Sequence, residues 1–234
     1  MVDIQVYGVH ARDDMIAALT AKLSIPLDRV HYDDRPDGGL MIYTAKKAWL
    51  APVPDGATHR VALADDVDVC SNFVSICEQI AAAHPEDIIS LFPYEFMQYN
   101  PDFDVLSTPY LKTMSLFGAA IMMPVKHILP CFEHIKRVYN DNCADDDGIM
   151  SYVREQNLRV LTTIPATVQH IGDVSLITPN ARIRRTVYFD KNAKADWSCK
   201  KVMVYQRPEW FFSNHGRIRP NVGVLKDVAE SRLY

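Results

Sequence analysis

The sequence predicts an α/β protein built around a mostly parallel sheet. Short apolar, β-branched runs alternate with segments whose apolar residues recur at helical spacing. That alternation marks strand–helix–strand units. Carboxylates also cluster directly after one apolar run, at Asp65, Asp66 and Asp68. Ligands of open α/β sheets bind there, beyond the carboxyl ends of the strands. With 234 residues, 48% of them hydrophobic and 23% charged, the chain can bury a full core.

In chain order, residues 3–10 read as a first strand. Asp13 and Asp14 open a helix whose Met15, Ile16, Leu19 and Leu23 share one face, and Pro26 ends it. Val30, His31 and Tyr32 form a short second strand before a turn over 35–39, and 40–50 reads as a helix. Residues 58–69 form one apolar strand ending in carboxylates. A helix over 72–83, a strand over 88–92 and a Pro-, Tyr- and Asp-rich loop over 93–113 follow. Leu116 to Met123 reads as a central strand, Pro124 opens a helix over 125–139, and Asp145 to Asp147 precede a helix over 148–157. Val160 to Thr163 is a further strand, and Pro165 starts a segment reaching His170 and Gly172. Residues 186–189 and 200–206 read as short strands of an appendage that packs on the body, and Trp210, Phe211 and Phe212 as an exposed or partner-facing loop. The expected division is a domain over 1–180 and a basic, aromatic extension over 181–234.

The net charge of −4 is unevenly placed. Residues 181–234 hold twelve Lys/Arg against five Asp/Glu, a formal +7, and the rest of the chain is −11. An acidic body with a basic end implies a polyanionic partner or a tail that packs on the body. No apolar run reaches about 18 residues, so no membrane span is expected. The start lacks the features of a signal peptide. The five cysteines show no zinc-type pairing and read as reduced thiols of a cytoplasmic protein.

Three clusters carry chemistry. Asp65, Asp66 and Asp68 repel one another unless a cation compensates, and hard oxygen donors suit Mg²⁺ or Mn²⁺ shared with phosphates. If extended geometry continues, Asp66 and Asp68 project from one side; a polar, helix-capping turn is the plain alternative. Asp145, Asp146 and Asp147 either cap a helix or place a carboxylate to take a proton from a hydroxyl. His170, followed by Gly172, is either structural or the nitrogen donor that completes a metal site.

In this order the motifs resemble the metal-dependent GT-A-fold glycosyltransferases over about residues 1–178. Ala64-Asp65-Asp66-Val67-Asp68 resembles the DxD element of that family. Ser115 to Met123 resembles the strand beside the acceptor pocket, Asp145–Asp147 the acidic motif at the next helix, and His170 the late histidine of some members. The resemblance implies a GT-A-like Rossmann-type sandwich that transfers sugar from a nucleoside diphosphate sugar, with a UDP-sugar as expected donor and Mn²⁺ or Mg²⁺ as cofactor. It implies metal ligation by Asp66, Asp68 and His170. Donor contacts would come from Val9, His10, Arg12, Lys46, Asp65 and Asp66. Asp146 or Asp147 would be the base if the reaction inverts, or would position the donor sugar if it retains.

The basic tail, with Tyr188, Phe189, Trp197, Tyr205, Trp210, Phe211 and Phe212 interleaved, suggests as acceptor DNA bearing a hydroxylated base, as with DNA-modifying phage enzymes. The rival acceptors are a surface glycan or a lipid-linked sugar. A metal-dependent nucleotidyltransferase is the alternative enzyme, although residues 8–14 lack a Gly-rich phosphate loop. A non-catalytic binding module is the remaining class.

Overall fold

The computed structural model describes residues 1–35, 42–93, 108–113, 116–173, 184–186, 189–204 and 226–227. The strands are β1 (Val2–Gly8), β2 (Val30–Tyr32), β3 (His59–Ala64), β4 (Val67–Val69), β5 (Ile88–Ser90), β6 (Tyr110–Thr113), β7 (Ala120–Pro124), β8 (Val160–Thr163), β9 (Val168–His170), β10 (Met203–Val204) and β11 (Lys226–Asp227). The helices are α1 (Asp13–Leu23), α2 (Ile42–Leu50), α3 (Phe73–Ala83), α4 (Val125–Tyr139) and α5 (Asp145–Glu155). The main sheet has the order β11-β10-β6-β8-β5-β7-β3-β1-β2, and β4 and β9 form a second, two-stranded sheet. Within the main sheet β1, β2, β3, β5 and β8 run one way, and β6 and β7 run against them. This is an α/β architecture in which most strands of the main sheet run one way, as expected.

Every residue of β1 and of β3 is buried, as expected for central strands covered on both faces. The polar residues on these strands are therefore paired. Asp3 lies opposite Arg60 in register, and Arg60, fully buried, donates from Nε to Asp3 at 2.6 Å. Its Nη1 and Nη2 also donate to the carbonyls of Ala48, Trp49, Ala51 and Pro52, which satisfies the C-terminal end of α2. Gln5 bridges Asp3 and His31.

Two expectations change. The strand expected over 58–69 breaks at Asp65-Asp66, which form a turn. Beyond it β4 leaves the main sheet and pairs antiparallel with β9, placing Asp68 opposite Gln169. Residues 110–113, expected within a loop, form β6, which pairs with β8. The expected turn over 35–39 lies outside the described residues except for Arg35.

The described part of the extension packs on the body. Trp197 is 3% exposed and Met203 is buried. The Tyr110 hydroxyl donates to the Trp197 carbonyl at 2.6 Å, and Ser71 N–H donates to the Lys191 carbonyl at 2.7 Å. Phe189 packs against the core and makes a bridge to Ala166.

Candidate active site

The site starts where β1 and β3 end side by side. Gly8 is required there by close approach: a Cβ would lie 2.3 Å from the Asp65 Cβ. The chain then turns through His10–Arg12 into α1, and this turn presents its groups to Asp65. Val9 N–H donates to Asp65 Oδ2 at 2.9 Å, and Arg12 Nη1 reaches Asp65 Oδ1 at 2.7 Å. The same nitrogen lies 2.6 Å from Asp66 Oδ2, so one guanidinium bridges both carboxylates.

His170 comes to the same atom from β9, with Nε2 3.0 Å from Asp66 Oδ2. The backbone fixes this approach, because Ile171 N–H and Gly172 N–H both donate to the Asp66 carbonyl. A Cβ on Gly172 would meet Asp66 Oδ2 at 2.6 Å, so only glycine lets β9 run this close. The buried His170 Nδ1 has no hydrogen-bond partner among the described residues. Burial pushes both carboxyls upward. At Asp65 it prevails over Arg12 and Val9 and leaves the pKa above the ordinary value. At Asp66 it is outweighed by His170 and Arg12, and the pKa lies below the ordinary value.

The second acidic motif arrives from the first turn of α5. Asp145 is 2% exposed, Asp146 is half-buried and Asp147 is exposed. Asp146 Oδ2 accepts from Gly118 N–H at 3.2 Å, and its Oδ1 accepts from Asp147 N–H at 2.9 Å. Burial raises the pKa of Asp146, with Asp147 adding to the rise and Gly118 and Arg184 opposing it. Tyr7, the penultimate residue of β1, joins the two motifs. Its hydroxyl donates to the Gly118 carbonyl and lies 3.2 Å from Asp145 Oδ2. Burial first, then Asp145, Asp146 and Asp66, raises the Tyr7 pKa, so the phenol keeps its proton and senses carboxylates of both motifs.

The fold thus brings together Val9, Arg12, Asp65, Asp66 and His170, and sets Asp145 and Asp146 beside them through Tyr7. It does not assemble the expected metal set of Asp66, Asp68 and His170. Because the chain turns at Asp65-Asp66, Asp68 lies on β4 and pairs with Lys22 of α1 at 2.6 Å. Among the described residues no three His, Cys, Asp or Glu side chains group as a metal site. Asp66 and His170 offer a carboxylate oxygen and an imidazole nitrogen, a donor pair less suited to Mg²⁺, which prefers oxygen ligands, than to Mn²⁺, and Arg12 already holds the same Asp66 oxygen.

Lys46 is directed to the α4–α5 turn, where Nζ contacts Asp141 at 2.7 Å. Its neighbour Lys47 instead reaches the end of β2, donating to the Tyr32 carbonyl at 3.0 Å. His10 is exposed and stacks on Tyr32, with ring centroids 4.0 Å apart and planes 10° apart. Among the described residues the Asp147 side chain makes no hydrogen bond to either motif. Tyr7 is the member that sequence reasoning left out, and Asp145 was read in the acidic motif without a role of its own. The only signal for Tyr7 was a polar aromatic at the end of a strand otherwise buried.

The DNA expectation loses Trp197, whose ring is buried against the body and cannot stack on a base. Arg184 lies over the Phe117 ring at 4.7 Å, and Arg185 pairs with Asp173 at 2.8 Å. Tyr188, Tyr205, Trp210, Phe211 and Phe212 lie outside the described residues. No helix among the described residues is long and apolar enough to cross a membrane.

No protein-family model matches this chain, and no curated protein sequence matches it. Among solved structures it is similar to a mutant Drosophila β-1,4-galactosyltransferase 7 in complex with manganese, UDP-Gal and xylobiose. The two share 10% sequence identity with a TM-score of 0.41, over 77% of this chain and 76% of that one.

Proposed function

We propose that this protein is a glycosyltransferase that uses a nucleoside diphosphate sugar, with a UDP-sugar as donor, and moves the sugar to an acceptor hydroxyl. One observation carries the reading. Tyr7 near the carboxyl end of β1 contacts Asp145 of one acidic motif and feels the charge of Asp66 of the other, which an arginine and a histidine hold. In this reading the anionic donor and the proton-accepting carboxylate share one site.

In this reading Asp66 and His170 hold the divalent metal, and Asp65 and Arg12 line the donor side. The metal, when bound, offsets charge that develops on the leaving diphosphate. Arg12 sets the separation of the two aspartates and holds Asp65 in place. His10, stacked on Tyr32, offers a flat surface to the nucleobase at the end of β1. Asp146 takes the proton of the acceptor hydroxyl: it is reachable from solvent, is oriented by Gly118 N–H, and has a pKa raised toward the range useful to a base. This favours Asp146 over the exposed Asp147.

The test is a thermal-shift screen of nucleoside diphosphate sugars with and without Mn²⁺. A UDP-sugar is expected to raise the melting temperature when metal is present, by mass action on the folded state. A screen in which no nucleoside diphosphate sugar stabilises the protein with either metal contradicts the proposal.

A further inference from the structure

A single phenolic proton faces two oxygen acceptors inside the fold. Tyr7 O–H points to the Gly118 carbonyl, which can only accept, and that contact is the closer of its two. Its other neighbour is Asp145 Oδ2 at 3.2 Å. With the Tyr7 proton directed to Gly118, this second contact pairs lone pairs unless Asp145 itself supplies a hydrogen. Asp145 is 2% exposed, and its Oδ1 would lie 2.7 Å from a Cβ on Gly118, so the carboxyl is packed against the turn.

We propose that Asp145 is a positioning acid held in its protonated form, donating to Tyr7, which in turn donates to the Gly118 carbonyl. The proton on Asp145 leaves Asp146 as the ionised carboxylate of the pair and fixes the Gly118 turn whose N–H orients it. Only the role given to Asp146 rests on the glycosyltransferase reading; the chain Asp145–Tyr7–Gly118 does not.

The surrounding groups agree on balance. Asp146 on the same helix disfavours a negative charge on Asp145, Asp147 does so on Asp146, and the Asp66 charge of the other motif bears on Tyr7. Burial, followed by the Asp146 charge, raises the Asp145 pKa. A Tyr7 hydroxyl turned toward an ionised Asp145, and then the backbone N–H groups of Asp146 and Asp145, would oppose this without prevailing. The Arg184 charge acts on Asp146 in the opposite sense. The Cys143 thiol stays protonated, because burial and the neighbouring aspartates push it upward.

The first test compares wild type with Asp145→Asn, whose amide reproduces a donor and an acceptor without a titrating proton. A carboxyl with a folded pKa raised above its unfolded value stabilises below the unfolded value and loses that contribution as pH rises through the folded one. The melting temperature of wild type relative to Asp145→Asn is therefore expected to fall between about pH 5 and about pH 8. A difference that stays level or rises overturns the proposal.

The second test needs no variant at Asp145. Carboxyl-carbon NMR of aspartate-labelled protein is expected to show one buried carboxyl still protonated at about pH 6, where ordinary aspartates are ionised. Tyr7→Phe removes the acceptor of its proton, so its titration midpoint is expected to move down. An upward shift or none overturns the proposal, because an ionised Asp145 accepting from Tyr7 gives the opposite sign. Both tests read protonation in the absence of donor, so failure of the donor screen leaves them intact.

Discussion

Arginine meets aspartate at both ends of β1, with opposite consequences. At the amino end Arg60 is 0% exposed and Asp3 is also buried. The guanidinium there is shared among Asp3 and four backbone carbonyls, and nothing at that place is left for a ligand. At the carboxyl end the Arg12 side chain is 15% exposed and holds two carboxylates with one nitrogen, beside a histidine with an unpartnered ring nitrogen. The same chemistry ties an α2 terminus to the sheet in one place and concentrates charge at a reachable edge in the other. Burial and saturation mark the structural pair, and partial exposure and crowding mark the candidate site.

The largest expected effect breaks the structural pair. Arg60→Ala leaves buried Asp3 with only Arg29 and Gln5 and takes a donor from four carbonyls, and is expected to lower stability by about 3–5 kcal/mol in a denaturant titration. Arg12→Ala is expected to cost less, about 1.5–3 kcal/mol, because its carboxylates keep His170 and Val9 N–H. It is expected to weaken donor binding at least tenfold by calorimetry, whereas Arg60→Ala, where still folded, is not. Equal losses of binding in the two variants would erase the distinction between the ends.

Gly8→Ala comes next. Its methyl would overlap Asp65 at the edge of the sheet, and the expected loss is about 1–3 kcal/mol, read as a lower melting temperature. The Asp66 carboxyl sharpens the comparison through pH. Its folded pKa is lowered, so its contribution is present above the ordinary carboxyl value of about 4 and is lost as pH falls below it. Asp66→Asn is expected to remove that part of the acid dependence, measured as melting temperature against pH. The smallest effect is at Lys22. Its pair with Asp68 is partly exposed, and Lys22→Ala is expected to change stability by no more than about 1 kcal/mol.

The alternation of apolar runs and helical spacing made the parallel part of the sheet legible, because β1, β3, β5 and β8 are buried strands with conventional composition. β6 escaped because it is short and follows a Pro- and Asp-rich stretch, although Tyr110 and Thr113 favour strands. The site was legible as three motifs but not as their arrangement. A local rule extended the strand through Asp68. The chain turns instead, because Asp65 is fastened to Val9 and Arg12 while β9 captures Val67–Val69. Arg12 was readable as a candidate for the site, but its bridging of Asp65 and Asp66 depends on β1–β3 register, which no single segment encodes. Lys46 pairs with Asp141, a contact set by the packing of α2 on α4 and α5, invisible along the chain. Trp197 read as a stacking aromatic because composition does not distinguish a buried ring from an exposed one.

The most direct test of the account is a calorimetric titration of a UDP-sugar into wild type and Asp66→Asn, each with and without Mn²⁺. The account predicts binding to wild type with Mn²⁺ that weakens at least tenfold when either the metal or the Asp66 carboxylate is removed. Equal affinity in all four titrations, or no heat of binding in wild type with Mn²⁺, would contradict it.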